Sequence, residues 1–147
     1  MLRSLMIALP MMAATALSAE TIKVASGKSV AETANALEAA IEGAGARVFA
    51  RVDHGGGAQS VGADIGGSEL LIFGNPKVGT PAMIESREAG LALPLKVLVY
   101  EDAAGGTWLA YEDPADRLAE LAGGALPEEV TAPMAGALQK LTAKAAE

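Results

Sequence analysis

Residues 95–112 constrain the fold most. LKVLVYED and TWLAYED flank the short stretch AAGG. Two apolar runs around a Gly-bearing turn specify a β-hairpin. Pairing Ala103 with Gly106 sets Tyr100 opposite Leu109, Leu98 opposite Tyr111 and Glu101 opposite Trp108. One face then carries Leu98, Tyr100, Leu109 and Tyr111, and the other Val97, Val99, Trp108 and Ala110. Both faces are apolar, so both need cover. A helix layer serves for one, and a second copy of the chain is the natural cover for the other. The expectation is a homodimer.

The other elements are read from period and punctuation. Thr21–Ala25 is a short strand. Ser29 and Glu32 form a capping box. Val30, Ala34, Leu37, Ile41 and Ala44 then follow at helical spacing, and Gly45 stands at the stop. From Arg47 to Asp53 the alternation sets Val48, Ala50 and Val52 on one face of a strand. The Gly-rich stretch after His54 reads as a loop, with a short helix from about Gly57 to Gly62 as the alternative. Glu69–Phe73 is a buried strand. A helix is expected from Pro81 to about Ala89, closed by Gly90. Asp113-Pro114 opens a helix with Leu118 and Leu121 inward, ended by Gly123 and Gly124. A last helix begins near Thr131 or Ala132, with Val130, Met134, Leu138 and Leu141 as its stripe and Pro133 in its first turn. The order β-α-β-β-α-β-β-α-α favours an α+β fold, with helices on a mostly antiparallel sheet of about five strands.

The first residues state an address. Arg3 precedes an apolar stretch from Leu5 to about Leu17, and small residues follow. This is the plan of a secretory signal peptide, with cleavage expected after Ala19 and other possible cuts after Ala16 or Ser18. The apolar run is shorter than the roughly 20 residues a spanning helix needs, and Pro10 interrupts it. Residues 1–19 are therefore read as leader and 20–147 as a single domain, periplasmic or secreted, with no stable membrane insertion after processing. Loss of Arg3 and of no acid moves the formal charge from −7 to −8. Such a chain has no basic footprint for nucleic acid. It has no cysteine, which excludes thiol nucleophiles and thiolate metal sites.

The stretch LLIFGNPKVGTPAM, from Leu70 to Met83, raises a specific question. Gly74 and Gly79 have the spacing of a phosphate loop, after a strand and before a helix. The lysine that should follow the second glycine is replaced by Thr80, which argues against nucleotide hydrolysis. Asn75-Pro76 favours a turn, Thr80 suits an N-cap, and Pro81 suits the first helical position. Lys77 beside exposed helix-terminal amides would then make an anion site. His54 is the only histidine, a candidate acid/base but not a metal site on its own. The carboxylates Glu101, Asp102, Glu112 and Asp113 gather at the ends of the hairpin strands, and Asp113 suits a helix cap. No serine sits in a G-x-S-x-G elbow. No cofactor motif is legible.

Taken together, D-H at 53–54, LLIFGNPK-x-GTP at 70–81, LPLKVLVYED at 93–102 and WLAYEDP at 108–114 occur in an order that resembles the bacterial family called domain of unknown function 302. The likeness covers nearly all of the chain after the leader. It implies an α+β domain with an antiparallel sheet, somewhat like the TATA-binding-protein topology, often dimeric, and it implies no established activity. Carried residue by residue, it picks out His54, Asn75, Pro76, Lys77, Thr80, Pro81, Tyr111, Asp113 and Pro114. The stretch Gly55–Gly57 departs from the Ala-rich helical segment that relatives tend to have there. The functional expectation is an exported module that binds a small anionic ligand or a partner, with His54, Asn75, Lys77, Thr80, Tyr111 and Asp113 as ligand-binding residues. The alternatives are an enzyme using His54 as acid/base and Lys77 as an electrostatic clamp, or a purely structural dimeric accessory protein.

Overall fold

A computed structural model describes residues 19–147, so the leader expectation lies outside the described residues. Five strands form one sheet: β1 (Thr21–Ser26), β2 (Arg47–Asp53), β3 (Ser68–Gly74), β4 (Leu95–Glu101) and β5 (Thr107–Glu112). The helices are α1 (Val30–Gly43), α2 (His54–Ser60), α3 (Pro76–Glu85), α4 (Pro114–Ala122) and α5 (Glu128–Ala146), with a 3-10 turn at Arg87–Leu91. The sheet order is β1-β5-β4-β3-β2, and every pair is antiparallel. This is the expected α+β architecture, with one more helix, α2, than the sequence order contained.

Helices α1 and α5 pack on one face of the sheet and on each other. Leu37 and Ile41 of α1 and Leu138 of α5 meet Leu71, Phe73, Val97, Val99 and Leu109 in the main core. Each such side chain stabilises the fold by about 1.5–3 kcal/mol through burial. A smaller cluster joins Ala82 of α3, Ala89, Leu118 of α4, and Val130 and Met134 of α5. The capping box at the start of α1 is present, with Ser29 accepting from the Glu32 amide and the Glu32 carboxylate accepting from the Ser29 amide.

Five local expectations are corrected. The hairpin register is shifted by one residue: Leu98 pairs with Ala110, Val99 with Leu109, Tyr100 with Trp108 and Glu101 with Thr107. The cause is Asp102. Its carboxylate accepts the Ala104 and Gly106 amides at 2.9 and 2.8 Å, and its own amide donates to the Gly106 carbonyl at 2.8 Å. Gly105 supplies φ +84° inside a three-residue loop. Because side chains alternate, a slip of one exchanges the faces of β5. Leu109 and Tyr111 therefore join Val97 and Val99 under the helices, while Leu98, Tyr100, Trp108 and Ala110 share the other face.

In β2 a bulge between Val48 and Ala50 breaks the alternation. Val48 packs on the core, Arg51 reaches Asn35 and Glu38 of α1, and Phe49 and Ala50 stay exposed. The Gly-rich stretch begins as a helix, because Asp53 accepts the Gly56 amide at 2.7 Å as its cap. Gly55 is required by close approach: a Cβ there would lie 2.8 Å from the Gly66 carbonyl oxygen. The helix expected at Pro81 starts at Pro76, with Asn75 as N-cap, and Thr80 and Pro81 lie inside it. Finally, α5 starts at Glu128, where Glu128 and Glu129 complement the positive end of the helix dipole, and Pro133 lies in its interior.

Candidate functional site

The registers give the sheet two ends. Ser26, Asp53, Ser68, Glu101 and Thr107 lie at the hairpin-turn end, and Thr21, Arg47, Gly74, Leu95 and Glu112 at the other. His54, the first residue of α2, is exposed at the turn end. Asn75, Lys77, Thr80 and Asp113 belong to the opposite end. At a rise of ~3.4 Å per residue, the seven residues of β3 separate the two groups by about 20 Å. Tyr111 points into the core, where burial pushes its phenol pKa up. The candidate residues therefore do not form one cluster, and His54 shares no cleft with Lys77.

Asn75 organises the GNPKVGTP stretch. Its side-chain oxygen accepts the Lys77 amide at 3.0 Å, and its carbonyl accepts the Val78 and Gly79 amides at 2.9 and 3.0 Å. Pro76 has no amide hydrogen. Every donor in the first turn of α3 is thus accounted for within the turn, and none is left to hold an anion. The Asn75 side-chain amide donates to the Gly45 carbonyl at 3.3 Å, tying the turn to the end of α1. Lys77 is exposed and makes no ion pair among the described residues. Asp113 caps α4 by accepting the Ala115 and Asp116 amides at 2.8 and 3.2 Å, and its own amide donates to the Glu20 carbonyl.

What this end of the sheet does hold is a set of clefts around Leu95. One of 270 Å³ runs between Phe49, the GNPKVGT stretch, Met83, Leu93-Pro94 and Met134. Another of 260 Å³ lies along Leu70, Leu98 and Ala110 and reaches Lys96, Arg117 and Glu112. Phe49, Met83, Leu93 and Met134 were not legible as site residues, because they come from separate elements and each reads locally as packing. The Arg47 guanidinium stands 5.8 Å from the Phe49 ring centroid.

The second feature is the sheet face away from α1 and α5. Leu70, Ile72, Leu98, Tyr100 and Trp108 lie there, half-buried, around Ala110. Lys23 reaches over Tyr100 with its ammonium 5.9 Å from the ring centroid. The Trp108 indole N–H donates to the Asp102 carboxylate at 2.7 Å, and this bond and those from the turn amides hold the Asp102 pKa below its ordinary value, the Gly106 amide foremost. No group of three or more His, Asp or Glu side chains suited to a metal gathers among the described residues.

Comparison with known proteins bears on this architecture. The chain is similar to a fluoride-specific ion channel, FluC 1, of Brucella suis biovar 1 (strain 1330), with 46% identity over 94 residues, 64% of this chain and 37% of that protein. A FluC 1 of Brucella abortus biovar 1 (strain 9-941) matches at 46% over 94 residues, 35% of its length. The chain thus spans about a third of the curated relatives it matches. The crystal structure of an uncharacterized conserved DUF302 protein from Bacillus stearothermophilus superimposes with a TM-score of 0.76 at 21% identity, over 85% of this chain and 97% of that one, and so shares the fold. Residues 22–144 match the family described as domain of unknown function DUF302, and the chain belongs to that family.

Proposed function

We propose that this domain is an exported binding module that works by association, pairing with a second copy through the uncovered face of its sheet. One observation carries the reading. Both long helices lie on one side, and Leu70, Ile72, Leu98, Tyr100 and Trp108 form a contiguous apolar surface on the other. The patch occupies the middle three strands, β5, β4 and β3, about 14 Å across at ~4.8 Å per strand, with Lys23 and Lys96 at its edge. An apolar patch rimmed by polar residues is the pattern of an interaction site. An enzyme built on His54 and Lys77 lacks this support, because the two residues stand at opposite ends of β3. Light scattering of the protein beginning at Glu20, at micromolar concentration, tests the proposal. The expected mass is that of a dimer, and Leu98→Glu should give a folded monomer. A wild-type monomer whose mass does not change with dilution would refute it. Export is checked separately by N-terminal sequencing of protein from the native host, which should begin near Glu20.

The relatives favour a second reading of what the module serves. They are named as fluoride channels, yet no helix among the described residues is long and apolar enough to cross a membrane. The similarity is therefore read as lying in a region joined to the channel. On this reading the domain accompanies a membrane ion channel. Co-purification of the tagged domain with a fluoride channel of its own host tests it, and absence of the channel from the purified fraction counts against it.

A further inference from the structure

We infer that the 270 Å³ cleft beside Asn75 binds a small, uncharged aromatic molecule. The site is distinct from the self-association face and does not rest on that reading.

The first observation concerns glycine. Gly74 and Gly79 line the cleft, and neither has a positive φ, so the backbone does not demand glycine at either position. Gly79 lies inside α3, where glycine is among the least favourable residues. A Cβ on Gly79 would meet only the Leu93 methyl at 3.6 Å, and one on Gly74 the Phe49 ring at 3.4 Å and Pro94 at 3.6 Å. Alanine would therefore fit at Gly79 in the empty protein and would favour the helix. What its missing side chain provides is open space against Leu93.

The second observation is the chemistry of the walls. None of the lining residues is ionisable. With only Asn75 and Thr80 as polar side chains in the lining, a charged ligand would recover little of the hydration it loses, which disfavours a free anion. Met83 and Met134 contribute polarizable thioethers, which favour the edges of aromatic rings. Phe49 stands at the mouth, 51% exposed, a large apolar ring left outside the core by the bulge in β2. A planar ligand against that ring removes both apolar surfaces from water. Thr80 is in the lining, and its hydroxyl is of the type that would pair with an N–H or O–H on the ring. An apolar cavity of about 150 Å³ holds benzene. At 270 Å³ this cleft has room for a fused bicycle on the scale of indole.

Isothermal titration calorimetry of the protein beginning at Glu20 with indole tests the assignment, with benzoate as the charged comparison. Indole should bind saturably at one site per chain, and benzoate at least tenfold more weakly. Phe49→Ala, at an exposed position that leaves the core intact, should weaken indole binding at least tenfold. Gly79→Ala should raise the melting temperature of the empty protein and weaken indole binding, separating loss of space from loss of fold. The absence of saturable indole binding to the wild type would overturn the inference, as would equal affinity for benzoate. Indole binding unchanged in both variants would show that the site lies elsewhere.

Discussion

The start of α3 can be located by mutation, because the two possible caps respond with opposite signs. Asn75 accepts the Lys77 amide with its side-chain oxygen and donates to the Gly45 carbonyl with its side-chain nitrogen. Asn75→Ala removes both bonds. Loss of an N-cap costs about 1 kcal/mol. The second bond is long and exposed, so it adds about 0.5 kcal/mol, the low end for a hydrogen bond. The total of about 1.5 kcal/mol should lower the melting temperature by about 6 °C, at roughly 4 °C per kcal/mol for a domain of this size. Asn75→Ser keeps a capping oxygen and loses only the tie to Gly45, so it should recover about two thirds of the loss. Thr80 lies in the fifth position of the helix, where alanine is the better helix former by about 0.5 kcal/mol. Thr80→Ala should therefore be neutral or raise the melting temperature by about 2 °C. Differential scanning calorimetry of the four proteins decides the matter. If Thr80→Ala loses 1 kcal/mol or more while Asn75→Ala loses nothing, the helix begins at Pro81 and Asn75 is not its cap.

Other expectations follow from single contacts. Gly55→Ala should destabilise, since its Cβ would press on the Gly66 carbonyl, whereas Gly57→Ala, with nothing within 4 Å, should stabilise by up to about 1 kcal/mol; urea melts of the pair read the opposite signs. Lys77→Ala should leave the sulfate dependence of the melting temperature unchanged, because the first-turn amides of α3 are all engaged; loss of a sulfate effect present in the wild type would restore the anion site. The Asp102 pKa is lowered on folding, so its ionisation contributes stability that is present above the ordinary value near 3.9 and lost as pH falls through the folded value. Asp102→Asn should flatten that acid limb in urea melts taken between pH 2 and 5. The Tyr111 phenol pKa is raised by burial, so its contribution is full below about pH 10 and lost as pH rises through the folded value, a loss that Tyr111→Phe should remove.

The large features of the fold were legible because local signals agreed with one another. Ser29 and Glu32 announced α1, its apolar spacing matched the residues it buries, and the paired apolar runs announced β4 and β5. Where a long-range partner decides, local reading failed. Nothing near Gly55 tells that the Gly66 carbonyl will press against it and Asp53 cap the segment. Thr80-Pro81 satisfies every local rule for a helix start, but Asn75-Pro76 satisfies them too, and its tie to Gly45 lies 30 residues away in sequence. The bulge in β2 is silent in the pattern Arg47–Asp53, which alternates well enough to be read as regular. The candidate site suffered most. Residues adjacent in a motif, such as Asn75 and Lys77, were legible together, while Phe49, Met83, Leu93 and Met134 meet only when four segments are folded onto the end of the sheet.

One residue in the hairpin turn links the fold to the proposed function. With two loop residues between paired ends, Leu109 and Tyr111 would share a face with Leu98 and Tyr100, and Trp108 would lie under the helices. Asp102 instead gathers the Ala104 and Gly106 amides, so the loop has three residues and β5 is displaced by one. The small Ala110 then falls between Leu98 and Trp108 on the uncovered face, and the larger Leu109 and Tyr111 fill the space beneath α5. The same carboxylate holds the Trp108 indole at the margin of that face. It satisfies the one polar atom of a side chain that would otherwise be costly to cover with a partner. The composition of the uncovered face is thus fixed by the turn that sets the register, and a change that lengthened or shortened this loop by one would exchange the faces of β5, altering that face and the core around Leu109 and Tyr111 together.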